Sequence, residues 1–397
     1  MRSDLRYEVK QNVRLPSMKD LIRGAELETG HSDWSMEFTG TPFEALDILV
    51  GDLNQAGLSV SGARRMYRRI HETLCARLNY IADRKRYPEL RDEEIVAPVF
   101  ILGLPRSGTT FLHNLLGSDP ANRAPRLYEL MCPAPKNPAP LAAVLREQRC
   151  RETLAYQGLL DDDWLAVHPM GAERAEECVF FWELSLLSVV YPANADVPNY
   201  QKYLYDRDFT PLYREECAFL QYLQHKEGKR HWILKTPIHV RFLKEVLDVF
   251  PDARFVHCHR DTAKIYPSIA NMAAVLYSKY TDKPPGARAI VNDYDGTWAD
   301  ALAFRQRPGM RERFVDVKFL DFRADPLGTV ERIYTTLGIK MSPEQRGAMA
   351  DWLAKDGAER SSRKHHRYSL ADVGLTEAEI DRMTGDYLKA FDVPLER

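Results

Sequence analysis

The stretch Val99–Pro120, VFILGLPRSGTTFLHNLLGSDP, limits the fold more than any other part of the chain. Four apolar residues in a row read as a short buried strand, GLPRSG as a turn, and Phe111, Leu112, Leu115 and Leu116 as one stripe of a helix. A strand that passes through a glycine-containing loop into a helix gathers backbone N–H groups and the positive end of the helix dipole around one point. That arrangement suits a phosphate. Gly103 and Gly108 have the spacing of a Walker loop, but Thr109 stands where that loop carries its lysine. The lysine normally reaches the β- and γ-phosphates, so its replacement argues against cleavage of a triphosphate here. Arg106, inside the loop, could instead lie over the atoms bonded to a single 5′-phosphate.

Three more β-rich runs follow, HWIL at His231, RFVHC at Arg254 and RFVDVKF at Arg313, each leading within a few residues into a helical pattern. Apolar strands alternating with helices imply an α/β fold, a P-loop-type parallel sheet flanked by helices. Residues 1–92 carry helical periodicity and are expected as a helical segment packed on a core formed by residues 93–397. Within that core an insert of about residues 133–230 is also helical and opens with the Pro-rich connector CPAPKNPAP.

Lys235 lies at the carboxyl end of the second run, where open α/β sheets place their ligands, and Thr236 with Pro237 reads as a helix cap and first helical residue. Val240, Leu243, Leu247 and Phe250 would face inward from that helix. Arg260 directly follows the third run. Ser268 falls in the next helix beside Pro267, which is expected to interrupt or bend its first turns.

Composition narrows the partners. With 55 Lys plus Arg against 57 Asp plus Glu the net charge is −2, so no general nucleic-acid-binding surface is implied and any anion site must be local. The six cysteines show no CxxC pair, which points to buried free thiols rather than a zinc or redox motif. The first residues have no apolar signal-like region, and no segment approaches the ~18 uninterrupted apolar residues of a membrane span, so a cytoplasmic location is expected.

The loop LPRSGTTFL resembles the 5′-phosphosulfate loop of sulfotransferases that use adenosine 3′-phosphate 5′-phosphosulfate (PAPS), and most of all the bacterial type with an LPRSGTT loop. ILKTPIH is similar to the Lys-Thr after the corresponding strand of cytosolic members, and HCHRDTAKIYPS matches the Arg and Ser that hold the 3′-phosphate. LDFRADPLGTVERIYTTLGI resembles a later stretch of the same enzymes, so that the likeness runs from about residue 95 to 380. It implies that Arg106, Ser107, Gly108, Thr109 and Thr110 bind the 5′-phosphosulfate, and Arg260 and Ser268 the 3′-phosphate. The basic stretch with Arg363 and Lys364 would close over the 3′-phosphate, as the C-terminal loop does in that family.

By the same resemblance the reaction is transfer of a sulfuryl group from PAPS to a hydroxyl or amine of a small-molecule acceptor, without a metal. Arg106 would stabilise the leaving oxygen and Lys235 the equatorial oxygens. A general base is also needed. Glu129 lies close to where heparan and protein-tyrosine sulfotransferases carry a catalytic Glu and ranks first. His239 comes two residues after the position of the cytosolic enzymes' His and ranks second, and Glu177 ranks third; His113 and His168 are expected to be structural. Trp164, Phe180, Phe181, Trp182, Tyr200 and Tyr203 would suit an apolar or phenolic acceptor, although aromatic residues at helical spacing more commonly serve the core. A homo-oligomer is compatible with all of this. The rival readings are an ATP-dependent small-molecule kinase and a non-catalytic nucleotide-binding protein of the same fold.

Overall fold

The VFIL run forms β1 (Val99–Leu102), and all four of its residues are buried. It is the middle strand of five, and the computed structural model describes its surroundings over residues 13–135, 142–283, 285–294, 296–361 and 369–396. The other strands are β2 (Asn122–Arg123), β3 (His231–Lys235), β4 (Arg254–His259) and β5 (Phe314–Lys318). They lie in the order β2-β3-β1-β4-β5, and every pairing is parallel. Phe100 sits opposite Leu234 on one side and Phe255 on the other, and Ile101 opposite Lys235 and Val256. This register brings the carboxyl ends of β1, β3 and β4 to one edge, where the chain turns away to both sides of β1.

Alternation along the strands divides their side chains between two cores. Phe100, Leu102, Trp232, Leu234, Phe255 and Phe314 enter one cluster, and Val99, Ile101, Ile233, Val256, Cys258, Val315 and Val317 the other. The first cluster also takes in Leu21, Leu46, Ile70 and Leu74 from helices Met18–Thr29, Phe43–Leu53 and Val60–Arg84, and Leu212 and Phe219 from helix Thr210–Glu227 of the insert. Each such fully buried Leu or Phe contributes roughly 1.5–3 kcal/mol. Within this layer Arg69 makes a buried two-pronged pair with Glu183, Nε to Oε2 and Nη2 to Oε1 both at 2.7 Å. The second core is covered by helix Thr109–Gly117 through Leu112, Leu115 and Leu116, and by Val330, Ile333 and Met349 from helices Pro326–Leu337 and Pro343–Ser361.

Two local expectations are corrected. Thr236 and Pro237 do not start an α-helix: a 3-10 turn, Pro237–Arg241, comes first and the helix begins at Leu243. Pro267 does not interrupt its helix, which runs unbroken from Thr262 to Tyr277. Its start is fixed by Asp261, whose side chain accepts from the Ala263 N–H at 3.0 Å, and a proline at the sixth position removes a single backbone donor. Among the described residues no helix is long and apolar enough to cross a membrane.

Candidate active site

The loop after β1 is shaped by three residues in left-handed backbone: Gly103 at φ +134°, Arg106 at +72° and Gly108 at +96°. At Gly103 the need for glycine is steric, because a Cβ would lie 2.5 Å from the Cys258 carbonyl oxygen and 2.8 Å from Ser107 Oγ. Ser107 closes the turn from within by donating to the Leu104 carbonyl, from Oγ at 2.7 Å and from N at 3.2 Å. Gly108 then caps helix Thr109–Gly117, so the free N–H groups of the first helical turn open into the loop. Arg106 is not a glycine, and its left-handed backbone costs on the order of 1–3 kcal/mol. Its guanidinium donates from Nε to Ser268 Oγ at 3.0 Å and from Nη1 to the Val167 carbonyl at 2.6 Å.

Lys235 ends β3 with a fully buried side chain. Its Nζ donates to Glu177 Oε1 at 2.7 Å and to Thr110 Oγ1 at 3.3 Å, while Thr236 Oγ1 donates to Glu177 Oε2 at 3.0 Å. Loop helix, strand end and insert therefore meet at one buried ammonium and one carboxylate, and the Glu177 side chain keeps 20% of its surface open. Behind it, Glu176 turns inward: its Oε1 meets His168 Nε2 at 2.8 Å and its Oε2 accepts from the Glu177 N–H at 3.0 Å. Burial works to raise the Glu176 carboxyl, but His168, Lys235 and the Glu177 N–H outweigh it and hold the group below the usual carboxylate range.

Glu129 has different surroundings. It is buried, with Oε1 on Arg123 Nη2 of β2 at 2.9 Å and Oε2 on the Arg126 N–H at 2.8 Å, at the start of a short helix, Leu127–Met131. His239 is enclosed by Phe100, Trp182 and Tyr213; the Tyr213 hydroxyl lies 2.7 Å from its Nδ1, and its Nε2 has no hydrogen-bond partner among the described residues. Burial first, then Lys235 and His113, lowers its pKa to about 3. His113 Nε2 lies 3.1 Å from the Ile233 carbonyl. The sequence did not announce the group around His239. Cys178, Glu216 and His239, all buried, bring their ligand-type atoms within 4.8 Å of one another. Burial pushes the Glu216 carboxyl up to about 7 against the hydrogen bonds from Cys178 and Trp182.

On the other side of the loop Arg260 stacks over the Phe319 ring at 3.9 Å and donates from Nη1 to the Arg106 carbonyl at 3.0 Å. Its remaining donors meet Glu396, Nε to Oε1 at 2.8 Å and Nη2 to Oε2 at 3.1 Å. The structure thus brings together Arg106, Ser268 and Arg260 on one side of the loop, and Thr110, Lys235 and Glu177 on the other. Arg363 and Lys364 lie outside the described residues. Of the aromatic set, Trp164, Phe181, Trp182 and Tyr200 are buried in hydrophobic clusters, and Phe180 and Tyr203 are partly buried against them. The partners missed by sequence reasoning, Glu396 and the Val167 carbonyl, left no signal: one is a lone acid far along the chain, the other a backbone group.

A parallel sheet with a glycine loop at the carboxyl end of its central strand defines a P-loop-type phosphate-binding protein. The profile of the sulfotransferase family matches residues 98–343, and the chain belongs to that family. Its fold is similar to the crystal structure of sulfotransferase STF1 from Mycobacterium tuberculosis, with 32% identity, 93% of this chain and 98% of that one covered, and a TM-score of 0.77. It is similar also to sulfotransferase STF9 from Mycobacterium avium, at 26% identity, 97% and 99% coverage and a TM-score of 0.81. A curated relative, the omega-hydroxy-beta-dihydromenaquinone-9 sulfotransferase Stf3 of Mycobacterium bovis, is 28% identical over 263 residues, 62% of this chain and 64% of its own length. The chain therefore matches less than two thirds of that relative.

Proposed function

We propose that this protein transfers a sulfuryl group from PAPS to a hydroxyl or amine of a small-molecule acceptor. The observation that carries the reading is the meeting of Lys235 with Thr110 and Glu177 at the mouth of a phosphate loop that has Thr109 in place of a Walker lysine. Sulfuryl transfer is an in-line displacement helped by cations on the leaving and equatorial oxygens. Arg106 and the loop N–H groups would hold the 5′-phosphosulfate, Lys235 would stabilise charge on the sulfuryl oxygens, and Arg260 with Ser268 would bind the 3′-phosphate.

Glu177 takes first place as the base, ahead of Glu129 and His239. Its oxygens are held by Lys235 and Thr236 at the loop and its side chain keeps part of its surface open, whereas Glu129 is buried on Arg123 and the Arg126 N–H and His239 is enclosed. Accepting the acceptor's proton would free Lys235 from its ion pair as charge develops on the sulfuryl group. Similarity to the dihydromenaquinone sulfotransferase favours an acceptor hydroxyl carried on an apolar molecule.

Thermal stability in the presence of adenosine 3′,5′-bisphosphate, ADP, or ATP with Mg²⁺ tests the reading. The bisphosphate at 100 times its Kd should stabilise the fold by about 2.7 kcal/mol, with ADP weaker at equal concentration. Preference for ADP or for ATP with Mg²⁺ would overturn it in favour of a kinase.

A further inference from the structure

We propose that Glu396 is a built-in occupant of the 3′-phosphate subsite, an internal carboxylate that the co-substrate displaces on binding and that returns when the bisphosphate product leaves. The inference rests on the assignment of Arg260 to the 3′-phosphate.

Three observations carry it. Glu396 meets Arg260 through both oxygens, at 2.8 Å and 3.1 Å, which is the two-pronged geometry by which guanidinium recognises carboxylate and phosphate alike. The placement is built by the fold. The Glu396 N–H donates to Asp261 Oδ2 at 2.8 Å, and Asp261 is the buried residue whose other oxygen caps helix Thr262–Tyr277, which carries Ser268. Val393, three residues earlier, is buried in a cluster with Tyr387 and Leu388 and donates from its N–H to the Leu388 carbonyl at 2.8 Å, anchoring the segment from the other side.

Ser268, the second group of the same clamp, is meanwhile engaged by Arg106 at 3.0 Å. Both 3′-phosphate ligands are thus satisfied internally, one by an anion and one by the neighbouring loop cation. A ligand without a 3′-phosphate can fill the 5′ side and leave the Arg260–Glu396 pair standing. A ligand with one must separate the pair, because a phosphate dianion and a carboxylate cannot share one guanidinium without strong repulsion. The arrangement weakens the bisphosphate selectively and gives Arg260 a partner ready at the moment of product release.

Titration calorimetry on the full chain, wild type and Glu396→Gln, with adenosine 3′,5′-bisphosphate and with ADP, tests this. Glutamine keeps the shape and removes the charge. The expected result is bisphosphate binding about tenfold tighter in Glu396→Gln, the loss of one charge-assisted pair, with ADP affinity changed less than twofold. Unchanged or weaker bisphosphate binding in Glu396→Gln, against a wild type that prefers bisphosphate to ADP, would overturn the displacement and leave the co-substrate reading intact. Equal binding of the two nucleotides by wild type would instead remove the reading of Arg260, and this inference with it. A Glu396→Asp variant guards against a local packing effect: it keeps the charge and should stay near wild type in the bisphosphate-to-ADP ratio, and a ratio like that of Glu396→Gln would also overturn the displacement.

Discussion

Lys235 is charged and fully buried, and it is tolerable only because Glu177 lies 2.7 Å away. Its expected task is to exchange that partner for the oxygens of a transferring group. Lys235→Ala should lower kcat by about 10²–10³-fold while bisphosphate affinity changes far less, read by single-turnover transfer from PAPS to a panel of apolar alcohols and phenols. Glu177→Gln should lower kcat by about 10²–10⁴-fold in the same single-turnover assay, whereas Glu129→Gln should act chiefly on stability. Arg260→Ala should weaken bisphosphate binding and leave ADP binding near wild type, and retained selectivity would remove Arg260 from the 3′-phosphate. Lys235 and Arg260 were legible in the sequence because each directly follows an apolar strand, which leaves its side chain little choice of place. Glu177 was not. Two adjacent acids look alike in a sequence, and only the packing of His168 on Glu176 shows which one turns away from the loop.

The strand-loop-helix unit works because its backbone passes within contact distance of β4. Gly103→Ala places a methyl 2.5 Å from the Cys258 carbonyl in a backbone conformation that alanine resists. The cost should reach about 2 kcal/mol or more, seen as a lower urea midpoint, together with weakened bisphosphate binding from a distorted loop. The four apolar runs were found at β1, β3, β4 and β5 because consecutive buried residues leave a clear trace. β2 left none: it is two residues long, Asn122 and Arg123, and holds its place through polar contacts such as Arg123 Nη1 to the Leu223 carbonyl at 2.7 Å. Pro267 misled for a related reason. A proline in a pattern signals a break, but a helix start capped by Asp261 absorbs the loss of one hydrogen bond.

At the scale of the molecule, stability should depend on a proton that has no expected part in the chemistry. Glu216 sits in helix Thr210–Glu227 with its pKa pushed up to about 7 by burial, so the folded state keeps a proton that the unfolded chain releases near its ordinary value of 4.5. The contribution is fully present below pH 4.5 and is lost as the pH rises through 7, on the order of 3 kcal/mol at most. Urea melts at pH 5 and pH 8 should show Glu216→Gln gaining on wild type at the higher pH and little at the lower. A wild-type slope that survives the substitution would assign the proton elsewhere. The two cores described above carry a practical lesson for anyone trimming the gene. The family match, residues 98–343, supplies all five strands but leaves out most of the cover of the first core from the helices before it, and Met349 of the second. Cut at that border, a fragment would lose Leu21, Leu46, Ile70 and Leu74 from over Phe100, Leu234 and Phe255, and with them the partner of Glu183. The stretch that matches the family is therefore expected to enter solution with an apolar flank bare and to aggregate when expressed alone, which size-exclusion chromatography of the fragment would show.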